Sequence, residues 1–149
     1  MLNKIEKIAG SAFYTGYIPF ASGTWGSLAA TLIYFIPNFE NIYVILPLTG
    51  LLFLWGLKVG DKFEAVYGKD PSQFTLDEVV GTWISYLFLP KDIYVILAAF
   101  ILWRALDIIK PSPARNAESL TGGMGIMLDD VISGFYTFII MHIALFLIN

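Results

Sequence analysis

Residues 41–60, NIYVILPLTGLLFLWGLKVG, run for twenty positions and meet their first formal charge only at Lys58. About twenty apolar residues is the length at which a helix crosses the hydrocarbon core of a bilayer. A second run, VISGFYTFIIMHIALFLI at 131–148, has no Asp, Glu, Lys or Arg at all. A third, DIYVILAAFILWRALDIIK at 92–110, is apolar for three turns before it admits Arg104 and Asp107. Two shorter runs, GSLAATLIYFI at 26–36 and VVGTWISYLFL at 79–89, read as short or tilted spans. Charged residues make up only 14% of the chain, against about 25% in water-soluble domains, so a polar surface could not cover a core of this size. The expected fold is all-α: one integral membrane helical bundle over residues 1–149, with four to five short or tilted transmembrane helices. MLNKIEKIAG lacks the apolar core and cleavage site of a signal peptide. It reads as a short amphipathic helix with Leu2, Ile5 and Ile8 on one side.

The cations give this bundle a direction. With the N-terminus inside, the inner segments hold Lys4, Lys7, Lys58, Lys62, Lys69, Lys110 and Arg115, and the outer loops hold only Lys91. The same arrangement gathers Asp61, Glu64, Asp70, Asp77, Glu78, Asp107, Asp129 and Asp130 at the inner face. Carboxylates crowded this way repel one another unless cations compensate, which makes a metal site plausible. The net charge of −3 offers no basic footprint for nucleic acid. Without cysteine, the chain has no disulfide, thiolate metal site or cysteine nucleophile.

Four segments carry candidate chemistry, each with a plainer alternative. In FTLDEVVG (74–81), Thr75 and Glu78 have the spacing of a capping box, a role that leaves Asp77 unexplained. In LWRALDIIKPSP (102–113), Arg104, Asp107 and Lys110 fall on one helical stripe. They form either an ion-pair ladder or a phosphate clamp beside a carboxylate. In TGGMGIMLDDVISG (121–134), one aspartate can cap the last helix while its neighbour turns inward. The glycines would admit a bound anion, and Gly134 would leave room for a ligand. ASGTWGSL (21–28) is either an ordinary turn or a helix start that receives phosphate on free N–H groups, with Thr24 and Ser27 adding hydroxyls. His142, the sole histidine, reads as a hydrogen-bonded packing residue.

Together, YIPFASGTWGSL, LDEVVG, RALDIIKPSP and GGMGIMLDDVISG resemble the phosphatidylglycerophosphatase A family in order and spacing, from about Gly10 to Gly134. Where many relatives have Ala-Pro-Gly-Thr, this chain has Ala21-Ser22-Gly23-Thr24. The resemblance implies a Mg²⁺-dependent enzyme of the bacterial inner membrane, its site facing the cytoplasm. Its substrate would be phosphatidylglycerophosphate among the membrane lipids, and its product phosphatidylglycerol. Carried onto matching positions, the catalytic candidates are Asp77, Asp107, Asp129 and Asp130. The metal candidates are Asp77, Glu78, Asp129 and Asp130, with Asp61 added from the preceding helix. Thr24, Ser27, Arg104 and Lys110 are the phosphate-binding candidates. Oligomeric state stays open. Two other classes compete with this reading: a small solute carrier, which would spread its acids through the bilayer depth, and a CDP-alcohol phosphotransferase. The latter expects D-G-x-x-A-R…G-x-x-x-D-x-x-x-D, which the sequence lacks.

Overall fold

The computed structural model describes residues 1–148. Among these there are seven α-helices, one turn of 3₁₀ helix at Thr15–Tyr17, and no strand. The helices are α1 (Lys4–Gly10), α2 (Ser22–Tyr34), α3 (Ile42–Tyr67), α4 (Leu76–Tyr86), α5 (Ile93–Ile109), α6 (Ala114–Glu118) and α7 (Gly122–Ile148). The expected all-α class holds, and every long apolar run became a helix. Only α3 and α7, of 26 and 27 residues, are long and apolar enough to cross a bilayer. α5 has 17 residues, α2 has 13 and α4 has 11. At 1.5 Å per residue the last two cover about 20 Å or less.

α4 is the hub. It is the shortest of the apolar helices, and ten of its eleven residues are buried. α7, α2, α3 and α5 pack around it. Its aromatic polar atoms are satisfied inside the bundle, as buried Trp and Tyr require. Trp83 Nε1 donates to the Ala30 carbonyl at 2.9 Å, and Tyr86 Oη shares a 2.8 Å bond with Thr31 Oγ1. The outer faces of the long helices are the reverse of a soluble protein's. Leu46, Leu51 and Leu54 on α3 and Ile139, Ile143 and Phe146 on α7 are exposed. Only 22% of the most apolar window of each helix is buried. A core helix would be mostly covered and a surface helix would be polar outside, so this exposed apolar belt suggests a membrane protein.

Small residues let the helix backbones cross closely. A Cβ on Gly60 would lie 2.7 Å from the Cα of Gly123, and one on Gly123 would lie 2.0 Å from the Leu57 carbonyl oxygen. A Cβ on Gly134 would lie 2.7 Å from the Gly81 carbonyl oxygen. These contacts correct two expectations. The glycines of TGGMG lie within α7 instead of opening a loop for an anion: Gly122 and Gly123 seat it on α3, Gly125 lies against the Leu120 and Ala117 carbonyls, and the space at Gly134 is filled by α4 backbone.

The bundle has two distinct ends. At one, Lys91 Nζ donates to Glu40 Oε2 at 2.6 Å and to the Ile36 carbonyl at 2.7 Å, tying the α4–α5 connection to the α2–α3 connection. The other end holds the start of α4, the ends of α3 and α5, and the start of α7. It contains nearly every remaining acid. There Lys62 of α3 pairs with Glu6 of α1, holding the short N-terminal helix against the bundle.

Candidate active site

The site begins where α4 begins. The capping box expected of Thr75 and Glu78 does not form: no side chain caps α4. Thr75 Oγ1 instead shares a 3.0 Å hydrogen bond with Thr15 Oγ1, sixty residues away, and this leaves Glu78 free for other work. α7 supplies the second half. It starts at Gly122, so Asp129 and Asp130 lie two turns inside the helix and neither caps it. The Gly81–Gly134 crossing then presses the acidic turns of α4 and α7 together.

One carboxylate oxygen from each of Asp77, Glu78 and Asp130 lies within 4.8 Å of the others. Asp77 and Asp130 are 6% and 3% exposed. Four buried carboxylate oxygens here have no hydrogen-bond partner: Asp77 Oδ1, Glu78 Oε2, Asp129 Oδ1 and Asp130 Oδ2. Leaving a buried charged acceptor unpaired is expensive, and bringing like charges together adds to the penalty. Hard oxygen donors collected this way fit a small divalent cation, which takes carboxylate oxygens and keeps several waters.

Cationic groups border the cluster. Arg104 Nη1 donates to Asp107 Oδ2 at 2.8 Å, one turn along α5. Ser27 receives Trp103 Nε1 at 3.2 Å and Arg104 Nη1 at 3.4 Å, so its buried hydroxyl orients the arginine. Arg104 Nε is buried and unpartnered. The glycine of the α2 start is pressed into this site: a Cβ on Gly23 would fall 2.2 Å from Glu78 Oε1 and 2.9 Å from Arg104 Nη2. No side chain caps α2 either, so its first-turn N–H groups, Thr24 among them, remain available beside the guanidinium.

Lys110, at the end of α5, donates from Nζ to Asp129 Oδ2 at 2.6 Å and to Glu118 Oε1 at 3.0 Å. Burial works against the ammonium, but these two carboxylates outweigh it and hold the Lys110 pKa above the ordinary lysine value. Lys110 thus anchors Asp129, whose second oxygen is one of the four unpaired ones.

Of the residues singled out in the sequence, Asp77, Glu78 and Asp130 form the cluster, Asp129 adjoins it, and Asp107 and Arg104 pair at its edge. Asp61 is engaged elsewhere. Its Oδ1 accepts from the Gly123 N–H at 2.8 Å, and Glu64 Oε2 accepts from the Gly122 N–H at 2.7 Å. These two acids of α3 cap α7 across the helix crossing. Asp61→Ala is therefore expected to lower stability by about 1–2 kcal/mol, as loss of a cap does, with catalysis per folded molecule unchanged. Thermal unfolding beside kcat would check this: a lost kcat at undiminished stability would make Asp61 a ligand after all. His142 packs as expected, its Nδ1 lying 2.7 Å from the Phe138 carbonyl oxygen. Glu118 was not foreseen. It is eight residues from Lys110, beyond a Pro-rich break, and no local spacing links the two.

The site therefore has unsatisfied acceptors for a cation beside unsatisfied donors for an anion. A phosphate bridged to a divalent metal meets both needs at once. The family model described as Phosphatidylglycerophosphatase A matches residues 8–145. A Haemophilus influenzae protein named phosphatidylglycerophosphatase A is 39% identical, the match covering 95% of this chain and 88% of that one. The Escherichia coli protein of the same name is 33% identical, over 82% and 73%. A Bacteroides thetaiotaomicron protein named, provisionally, a phosphatidylinositol-3-phosphatase is 37% identical, over 95% and 94%. No solved structure matches the chain. Matched over nearly its whole length by the family model and by relatives of that name, the chain belongs to the phosphatidylglycerophosphatase A family of phosphatases.

Proposed function

We propose that the chain hydrolyses the terminal phosphate of phosphatidylglycerophosphate, giving phosphatidylglycerol and inorganic phosphate, with Mg²⁺ at the cytoplasmic face of a bacterial inner membrane. The observation that carries this reading is the unpaired set itself: four buried carboxylate oxygens and Arg104 Nε at one end of the bundle.

Asp77, Glu78 and Asp130 would hold the ion. When bound, it supplies neutralisation of phosphate charge and a fixed orientation for the phosphoryl group. Arg104, held by Asp107 and Ser27, would take phosphate oxygens, joined by the free N–H groups at the start of α2. Asp129 is the best-placed base: Lys110 fixes its Oδ2, and Oδ1 is free to accept a proton from the attacking water. The water oxygen bonds to phosphorus as its proton passes to Asp129, the P–O bond to the glycerol carbon chain breaks, and the leaving alcohol oxygen takes up the proton that Asp129 accepted. In this reading the substrate's acyl chains stay among the helices. α3 and α7 cross the bilayer, while α2, α4 and α5 enter as short spans, with N-terminus and acids inside as the lysine and arginine distribution favours.

The name of the Bacteroides relative supports a second reading, a phosphatidylinositol 3-phosphate substrate, because the same site would serve any lipid phosphomonoester. Phosphate release by the purified protein from each lipid, with matched acyl chains in the same detergent, separates the two. The expected result is a kcat/KM at least about tenfold higher for phosphatidylglycerophosphate, and loss of both activities in a chelator. Preference for the inositol lipid would establish the second reading, and release from neither lipid would end both.

A further inference from the structure

A groove of about 210 Å³ runs down the outside of the bundle between α3 and α7. Leu46, Gly50 and Phe53 of α3 form one wall, Val131 of α7 the other, and Val80 and Ile84 of α4 the floor. Leu46, Gly50 and Phe53 stand at i, i+4 and i+7, so they make one stripe of α3. On α4 the floor continues the site directly, because Asp77, Val80 and Ile84 stand at i, i+3 and i+7 and also share a stripe. On α7, Val131 follows Asp130 immediately. The groove therefore opens within one turn of the carboxylate cluster. It extends from Phe53 to Leu46 on α3 and from Val80 to Leu87, the residue just past α4, a rise of seven positions along each, or about 10 Å deeper into the bundle.

Gly50 keeps this channel open. A Cβ built there meets nothing within 4 Å, unlike the glycines at the helix crossings. Glycine weakens a helix interior by about 1 kcal/mol relative to alanine, and no packing contact at this position requires it. A second apolar cavity, of about 250 Å³, is lined by a different stripe of α4, formed by Leu76, Val79 and Trp83, which is turned away from Asp77.

We infer that the groove between α3 and α7 seats an acyl chain of the lipid whose phosphate enters the carboxylate cluster, with Gly50 as the residue that sets its bore. The inference rests on the phosphatase reading above. An acyl chain fits because the walls are apolar, the groove faces the lipid side of the bundle, and its head lies at the acids.

Two assays on one protein test it: hydrolysis of dioleoyl phosphatidylglycerophosphate in detergent, and hydrolysis of glycerol 1-phosphate, which has no chains. Gly50→Leu should lower kcat/KM for the long-chain lipid about tenfold, chiefly through KM, and leave glycerol 1-phosphate unchanged. An unchanged KM for the long-chain lipid would overturn the inference. Wild type inactive on both substrates would instead defeat the phosphatase reading. If the variant loses both activities alike, the unmodified protein decides. Phosphatidylglycerophosphate with a photoreactive acyl chain should label residues 46–53 and Val131, and phosphatidylcholine with the same chain should not. Equal labelling by both lipids would overturn the inference.

Discussion

Asp130→Asn should lower phosphate release by more than about a hundredfold while the protein stays folded and, in a chelator, becomes more resistant to heat than wild type. The two effects have one origin. Asp130 is 3% exposed, and one of its oxygens lies within 4.8 Å of oxygens from Asp77 and Glu78. At an effective dielectric of about 20, two carboxylates at that separation repel by on the order of 3 kcal/mol. Asparagine keeps the shape and removes an acid whose ionisation the buried, acid-lined site opposes, so the ion-free bundle no longer bears that cost. The same change removes an anionic donor from the cation site. Altering groups that merely orient a metal ligand costs about 10–100-fold in affinity or activity, and losing a ligand costs more. Thermal unfolding in EDTA, read by tryptophan fluorescence, and phosphate release in Mg²⁺ check the two halves. A variant less stable than wild type in EDTA would mean that the three carboxylates do not strain the fold.

Lys110→Met should lower stability by about 2–3 kcal/mol. Breaking a buried ion pair typically costs about 3–5 kcal/mol, and the partial exposure of Lys110 reduces that. The methionine retains the apolar stem but strands Asp129, whose side chain is only 4% exposed, with neither oxygen partnered by a protein group. Glu118, more exposed at 38%, can turn to water. Adding Asp129→Asn should restore most of the loss, because the stranded charge disappears with it. The pH dependence follows from the sign of the shift. The Lys110 pKa in the folded protein stands above its unfolded value, so the pair's contribution is fully present below the ordinary lysine value of about 10.4 and fades only above it. Across the neutral range the charge on Lys110 itself therefore stays constant. A double variant no more stable than Lys110→Met would show that the pair is not what the lysine contributes.

The sequence made the helices legible because their signal is local. The run at 92–110 became Ile93–Ile109 and the run at 26–36 became Ser22–Tyr34, each found by an apolar stretch ended by Pro, Gly or charge. The gathering of acids at one end was legible too, since alternating helices return Asp77, Asp107 and Asp130 to the same level. What escaped depends on partners far along the chain. Thr75 turns its hydroxyl to Thr15 instead of to the start of α4, and α7 begins nine residues before Val131, where Asp61 and Glu64 satisfy its first N–H groups. The division of labour between the adjacent aspartates likewise follows from the α4–α7 crossing, which turns Asp130 to the cluster and leaves Asp129 to Lys110.

Cation binding by purified protein, followed as the shift in unfolding temperature during a Mg²⁺ titration in metal-free buffer, probes the carboxylate cluster without relying on catalysis. Wild type should gain stability saturably as the ion fills the site, in the manner of any ligand that binds only the folded state. Asp130→Asn should gain little, and Asp61→Ala should respond as wild type does. No shift in wild type, or an equal shift in wild type and Asp130→Asn, would contradict a metal centre at Asp77, Glu78 and Asp130.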